Sequence, residues 1–254
     1  MRFFSRSELR DVWADEPRMI LAYRKIWDAS PILRRFYRDV WGYAMPYVRG
    51  SPVIELGGGA GFIRECYPEV ISTDFLPFPE SDLVCDATRL PFAAESIGSF
   101  VAVAFFHHCR NPRRLFAEVS RALAPGGRFI IFDPYISVAS KVLYRFGTVE
   151  SVDLNEAPLK SEEGAGESPL LEANVARATI LFERNRAVFE EAFPNLRVVR
   201  IERENLFRHI AAGSCVQKSP FPDWCYPVAC LLDRFLEPFR RFTGMCLVVV
   251  LEKG

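Results

Sequence analysis

The chain has 254 residues, with 32 Lys and Arg against 32 Asp and Glu. Half of them are hydrophobic, which argues for a sizeable core and against disorder. The zero formal charge argues against a general nucleic-acid binder. No apolar run reaches the ~18 residues of a transmembrane helix, and the polar start MRFFSRSELRD shows no secretory leader. The seven cysteines are odd in number and form no CxxC pair, which points to free thiols in a reducing cytoplasm. The three histidines, His107, His108 and His209, have no ligand-like spacing, so no metal site is expected.

Residues 7–48 have helical periodicity, broken by Pro17 and Pro31 and ended by Gly50-Ser51-Pro52. This predicts a helical cap over residues 1–49. The rhythm then changes. Short apolar strands are predicted at 53–56, 70–73, 82–85, 100–105 and 128–132, with a helix over 112–123. Strands alternating with helices mean a parallel sheet covered on both faces. Residues 74–81 are too few and too proline-rich for a crossover helix, which predicts an irregular loop there. Insertions are expected at about 134–194 and 204–243. The first includes a polar loop at 160–169 and a helix over 170–193. The second holds a helix around 229–239. Strands follow at 198–201 and 245–251, and the last, apolar on both faces, belongs inside the sheet.

The strongest local signal is Glu55-Leu56-Gly57-Gly58-Gly59-Ala60-Gly61, directly after the first strand. Glycines let the backbone take positive φ and approach a ligand closely, and a following helix would offer free N–H groups. Dinucleotide binding wants glycine at the first, third and sixth positions. Here the sixth is Phe62, which lowers a nicotinamide oxidoreductase reading. No Gly-Lys-Ser/Thr follows, so this is not a P-loop.

The acidic-x-Gly-x-Gly-x-Gly pattern resembles that of the class I S-adenosylmethionine-dependent methyltransferases. So do Asp86-Ala87-Thr88-Arg89-Leu90-Pro91-Phe92, Phe106-His107-His108 and Leu123-Ala124-Pro125-Gly126-Gly127, which look like the small-molecule, type 11 branch. The resemblance covers about residues 50–133. It departs at Asn111, where aspartate is common, and at Ile97-Gly98, where Phe-Asp is usual.

The resemblance implies a Rossmann-like, doubly wound, mostly parallel seven-stranded sheet with an antiparallel last strand. It implies S-adenosylmethionine as cofactor, held by Glu55, Gly57, Gly58, Gly59, Gly61, Asp74, Phe75, Asp86, Ala87, Ala104 and Phe105. Asp74 would hold the ribose hydroxyls, Phe75 cover the adenine, and Asp86 with Ala87 meet the adenine edge. An acid at Glu55 suits a ligand carrying a positive sulfonium.

Candidate bases are His107, His108 and His209. On an extended backbone the first two would point to opposite sides, so only one could face a substrate. The acceptor is expected to be a small molecule, apolar or lipid-linked, because the insertions are rich in Phe, Leu and Val. A helix over 231–242 with Arg234, Arg240 and Arg241 suits either a membrane surface or packing on the sheet, and its place before a buried strand favours packing. A non-catalytic S-adenosylmethionine-binding scaffold is the competing reading.

Overall fold

Consecutive apolar residues make strands here because both faces of the sheet are covered. A computed structural model describes residues 16–147, 150–161, 173–204, 206–214, 217–219 and 221–254. The strands are β1 (Val53–Leu56), β2 (Ile71–Asp74), β3 (Leu83–Val84), β4 (Ile97–Val103), β5 (Leu123–Pro134), β6 (Leu196–Glu204), a small hairpin of β7 (Gly213–Ser214) and β8 (Gln217–Lys218), and β9 (Cys246–Lys253). The main sheet runs β3-β2-β1-β4-β5-β9-β6. Pairing is parallel from β3 to β5, and β9 inserts antiparallel between β5 and β6. The expected sheet and the inner position of its last strand are therefore both present.

Alternate residues face two separate cores. Phe129 and Ile131 of β5, with Leu247, Val249 and Leu251 of β9, pack under α3 (Pro112–Ala122) and α5 (Arg186–Ala192). Asn111 caps α3, its Oδ1 accepting from Arg114 N at 3.1 Å, so it does the work of the more common aspartate. Ile130, Phe132, Val248 and Val250 face the other way, towards α1 (Glu16–Ala29) and α2 (Pro31–Ala44).

That second face departs from expectation. No helix follows the glycine turn. One 3₁₀ turn, Phe62–Glu65, fills the link to β2, and the segment to β3 has no helix either. The space left on this face is filled from the N-terminal side. Trp27, Ile32, Leu33, Phe36, Val40 and Trp41 are buried against Phe62, Ile63 and Val101. The predicted cap is thus part of the core as well as a neighbour of the glycine turn.

Past β5 the chain forms α4 (Val138–Gly147), a π-helical turn Thr179–Arg184, and α5 after a break at Asn185. The single helix expected over 170–193 is interrupted because the Asn185 amide and side chain both donate to Ile180 O, at 3.0 and 2.9 Å. Residues 162–172, most of the expected polar loop, lie outside the described residues. In the second insertion, α6 (Phe207–Ala212), α7 (Cys225–Phe235), a 3₁₀ turn Glu237–Phe239 and α8 (Arg240–Thr243) lead into β9. Among the described residues no helix is long and apolar enough to cross a membrane. The described cysteines are free thiols, and Cys215 lies outside the described residues.

Candidate functional site

Parallel strands deliver their C-terminal ends to one edge of the sheet, where ligand sites of such folds lie. Here β1, β2, β3 and β4 bring the glycine turn, Asp74-Phe75, Asp86-Ala87 and Ala104-Phe105 to that edge. The turn depends on positive φ at Gly57, Gly59 and Gly61 (70°, 55° and 62°). Gly59 N donates to Asp74 Oδ2 at 2.8 Å, and Leu76 N donates to Asp74 Oδ1 at 2.9 Å. Burial raises the Asp74 pKa against the pull of these amides. Asp86 is held in its own turn, its Oδ1 accepting from Thr88 N and Thr88 Oγ1, each at 2.8 Å. Phe75 presents an exposed ring, 57% accessible.

Glu55 lies deeper than the motif suggests. Its carboxyl is buried beneath the turn, and Ser72 Oγ donates to Oε2 at 2.8 Å. A Cβ on Gly58 would meet Ser72 Oγ at 2.1 Å and Glu55 Oε2 at 2.3 Å, so the turn rests directly on this pair. Burial pushes the Glu55 pKa up to about 8, with the Asp74 charge adding to it and the Ser72 bond opposing. Glu55 is therefore mostly protonated at neutral pH and acts as a prop for the turn, with less charge to offer a sulfonium than the motif implies.

The edge leaves room beside Gly59. A Cβ on Gly59 would meet nothing nearer than Phe78 and Tyr23, at 3.9 Å, so a bare Cα there leaves a shallow recess over the Asp74 carboxylate. Phe105 covers Gly57, where an added Cβ would strike its ring at 2.2 Å. Ala104 has φ of +52°, a conformation non-glycine residues rarely adopt and one that collects at functional sites.

His107 and His108 follow at once, and the structure corrects their expected geometry. They sit in a 3₁₀ turn, Phe106–His108, so both rings lie on one side with centroids 4.1 Å apart. His107 Nδ1 lies 2.9 Å from Asp133 Oδ1 at the end of β5, which also accepts from Phe106 N. His107 Nε2 and His108 Nε2 each lie 3.4 Å from Glu150 Oε1. Burial disfavours the charged form of His107, but Asp133 and Glu150 outweigh it and hold the pKa up to about 10. His209, flanked by Phe36 and Tyr144 and 3.7 Å from Cys246 Sγ, goes the other way. Burial lowers its pKa to about 4. His107 and His108 therefore share Glu150, while His209 sits apart among Phe36, Tyr144 and Cys246.

The sequence did not single out Asp133, Glu150, Asn174 or Arg177. Arg177, buried and paired with Glu156 at 2.7 Å, donates to His107 O and Cys109 O at 3.0 and 2.9 Å. Asn174 N donates to His107 O at 3.0 Å. These two hold the histidine turn in place. Asp133 leaves one signal in the sequence, a charged residue at the end of an otherwise apolar strand.

Comparison with known proteins bears on the fold and on residues 55–131. Residues 55–131 match the family model described as a methyltransferase domain. An uncharacterized chloroplastic methyltransferase of Arabidopsis thaliana is 34% identical over 82 residues, 32% of this chain and 23% of that one. The matched segment thus spans about a quarter of that relative's length. A SAM-dependent methyltransferase from Thermotoga maritima, a possible histamine N-methyltransferase, superposes with a TM-score of 0.54 at 15% identity, covering 93% of this chain and all of that one. One from Archaeoglobus fulgidus gives 0.52 at 13%, covering 87% and 94%. The fold is that of the class I S-adenosylmethionine-dependent methyltransferases. Residues 55–131 carry the match to a methyltransferase domain, and the fold is shared with these S-adenosylmethionine-dependent enzymes.

Proposed function

We propose that this chain transfers the methyl group of S-adenosylmethionine to a small, apolar acceptor presented at a lipid surface. The observation that carries the transfer is the strand-end edge, where the open Gly59 recess, the Asp74 carboxylate, the exposed Phe75 ring and the Asp86 turn stand side by side. When bound, the cofactor supplies an electrophilic methyl on a sulfonium. The protein's part is to orient and to exclude water, and alignment of two reactants is worth ~7–11 kcal/mol. Asp74 would accept from the ribose hydroxyls. The bare Cα of Gly59 would let the backbone pass close. Ala87 N–H and Asp86 would meet the adenine edge. His107, its ring fixed at Nδ1 by Asp133, would stand beside the acceptor.

A nicotinamide cofactor fits poorly. Phe62, at the sixth glycine position, is buried and stacked under Trp27, and only a 3₁₀ turn follows where a helix N-terminus would meet a pyrophosphate.

The acceptor class is read from the second insertion. Trp224, Val228, Leu231, Phe235, Phe239 and Phe242 recur every three or four residues and are all at least half exposed. The inner face of α7 packs through Tyr226, Ala229 and Asp233, and its outer face is exposed. Arg234 and Arg241 are exposed on the same segment, which favours an anionic bilayer. Arg240 is already bound to Glu204 at 2.6 Å.

The test is a labelled-methyl assay on lipid and aqueous extract fractions. Label in the lipid fraction is expected. Label only in aqueous products would remove the acceptor reading, and cofactor binding without transfer to either fraction would favour the scaffold reading.

A further inference from the structure

Nothing in the local spacing of the sequence groups His107, His108 and Glu150, yet the fold brings a ligating atom from each to one point. The three atoms lie within 4.8 Å of one another. Two of the edges, from each Nε2 to the shared Glu150 Oε1, are 3.4 Å. Donors bound at ~2.0–2.2 Å to a tetrahedral ion stand roughly 3.3–3.5 Å apart, so these edges already have the length of a coordination sphere.

The surroundings agree. Asp133 lies 2.9 Å from His107 Nδ1, so a proton held there would leave Nε2 available as a ligand. The pocket is buried, with His107 and Asp133 almost fully enclosed and His108 and Glu150 mostly so. Two carboxylates enter it together with two imidazoles. A divalent ion would balance the two carboxylates. A carboxylate behind a ligating histidine is also the usual outer partner of a metal site.

We propose that His107 Nε2, His108 Nε2 and the Glu150 carboxylate bind one divalent transition-metal ion of the zinc type, with Asp133 as the positioning residue for His107. Two histidines and one carboxylate are the protein ligands of a catalytic rather than a closed structural site, and they leave a position open. The site follows β4 directly, beside Ala104 and Phe105. If the proposed methyl transfer holds, an acceptor oxygen at the open position would be polarised by the ion. That last clause rests on the transfer reading, but metal binding does not.

The test uses the full chain, stripped with a chelator and titrated with Co²⁺ under visible absorption, then with Zn²⁺ under elemental analysis. One equivalent with intense d–d bands, displaced by Zn²⁺, is expected. His108→Asn and Glu150→Gln should each weaken binding at least 100-fold, and Asp133→Asn about 10- to 100-fold. Failure to saturate near one equivalent, or unchanged affinity in folded His108→Asn and Glu150→Gln, overturns the site. Should a variant not fold, X-ray absorption of the zinc-loaded wild type decides. Nitrogen and oxygen neighbours with imidazole scattering support the site, and sulfur neighbours, which would implicate Cys246, overturn it. S-adenosylmethionine titration of the same stripped protein separates loss of the metal from loss of the cofactor site.

Discussion

The indole of Trp27 lies flat on the ring of Phe62, with centroids 4.0 Å apart and planes 5° from parallel. Its Nε1 donates to Glu65 Oε1 at 3.0 Å. One residue comes from the N-terminal helices and the other from the 3₁₀ turn that stands where a crossover helix was expected. This contact is how the chain covers a sheet face that its own short links leave bare. Trp27→Ala should therefore destabilise the fold by ~3–5 kcal/mol, the range for a buried aromatic truncated to a methyl. Urea denaturation checks it. A loss below ~1 kcal/mol would mean that the helices sit on the sheet without supporting it.

The glycines of the turn should separate into two behaviours. Gly58→Ala drives a methyl into Ser72 Oγ and Glu55 Oε2, so it should cost about 1–3 kcal/mol of stability. A Cβ at Gly59 meets only ordinary contacts at 3.9 Å, so Gly59→Val adds the strain of φ +55° and two γ-methyls reaching into the recess. It should stay folded and lose cofactor binding, because the side chain fills the recess. Thermal melts and calorimetry on both variants distinguish the two effects.

Glu55 makes stability depend on pH in an unusual direction. Its folded pKa, about 8, lies above the ordinary 4.5. The contribution is thus fully present below pH 4.5 and is lost as pH rises through about 8. Wild-type stability from this group should fall by on the order of 1–4 kcal/mol between pH 5 and 8. Glu55→Gln should flatten the profile. Denaturation series at pH 5, 7 and 9 measure this, and parallel curves for the two proteins would contradict the buried, protonated assignment.

The exposed row on the second insertion predicts membrane affinity. Sedimentation with anionic vesicles should pull down the wild type, more at low salt than at high salt. Leu231→Glu combined with Phe235→Glu should lower the bound fraction at least tenfold. Equal binding to neutral and anionic vesicles would remove the arginine contribution, and no binding to either would remove the lipid surface from the acceptor reading.

Much of the sheet was legible in the sequence because β1, β2 and β5 hold short apolar runs closed by glycine, proline or an acid. The positions of Asp74 and Asp86 at strand ends follow from the same pattern. The absent second crossover was also legible, since residues 75–81 hold too few residues and too many prolines for a helix. The absent first crossover was not. The helical periodicity that replaces it lies before β1, and only the folded chain shows that it covers the same face. The acceptor-side cluster was hidden for a similar reason. His107, Asp133 and Glu150 come from three separate segments, and the 3₁₀ turn that places both histidine rings on one side cannot be read from two adjacent letters. The helix expected over 231–242 suited either a membrane surface or packing, and the buried Tyr226, Ala229 and Asp233 show which face of α7 points inward.

Calorimetric titration of the wild type, Asp74→Ala and Gly59→Val with S-adenosylmethionine tests the central claim most directly. One site in the wild type is predicted, weakened at least tenfold, or ~1.4 kcal/mol, in Asp74→Ala and undetectable in folded Gly59→Val. No binding by the wild type, or one affinity shared by all three proteins, would contradict the placement of the cofactor at these strand ends.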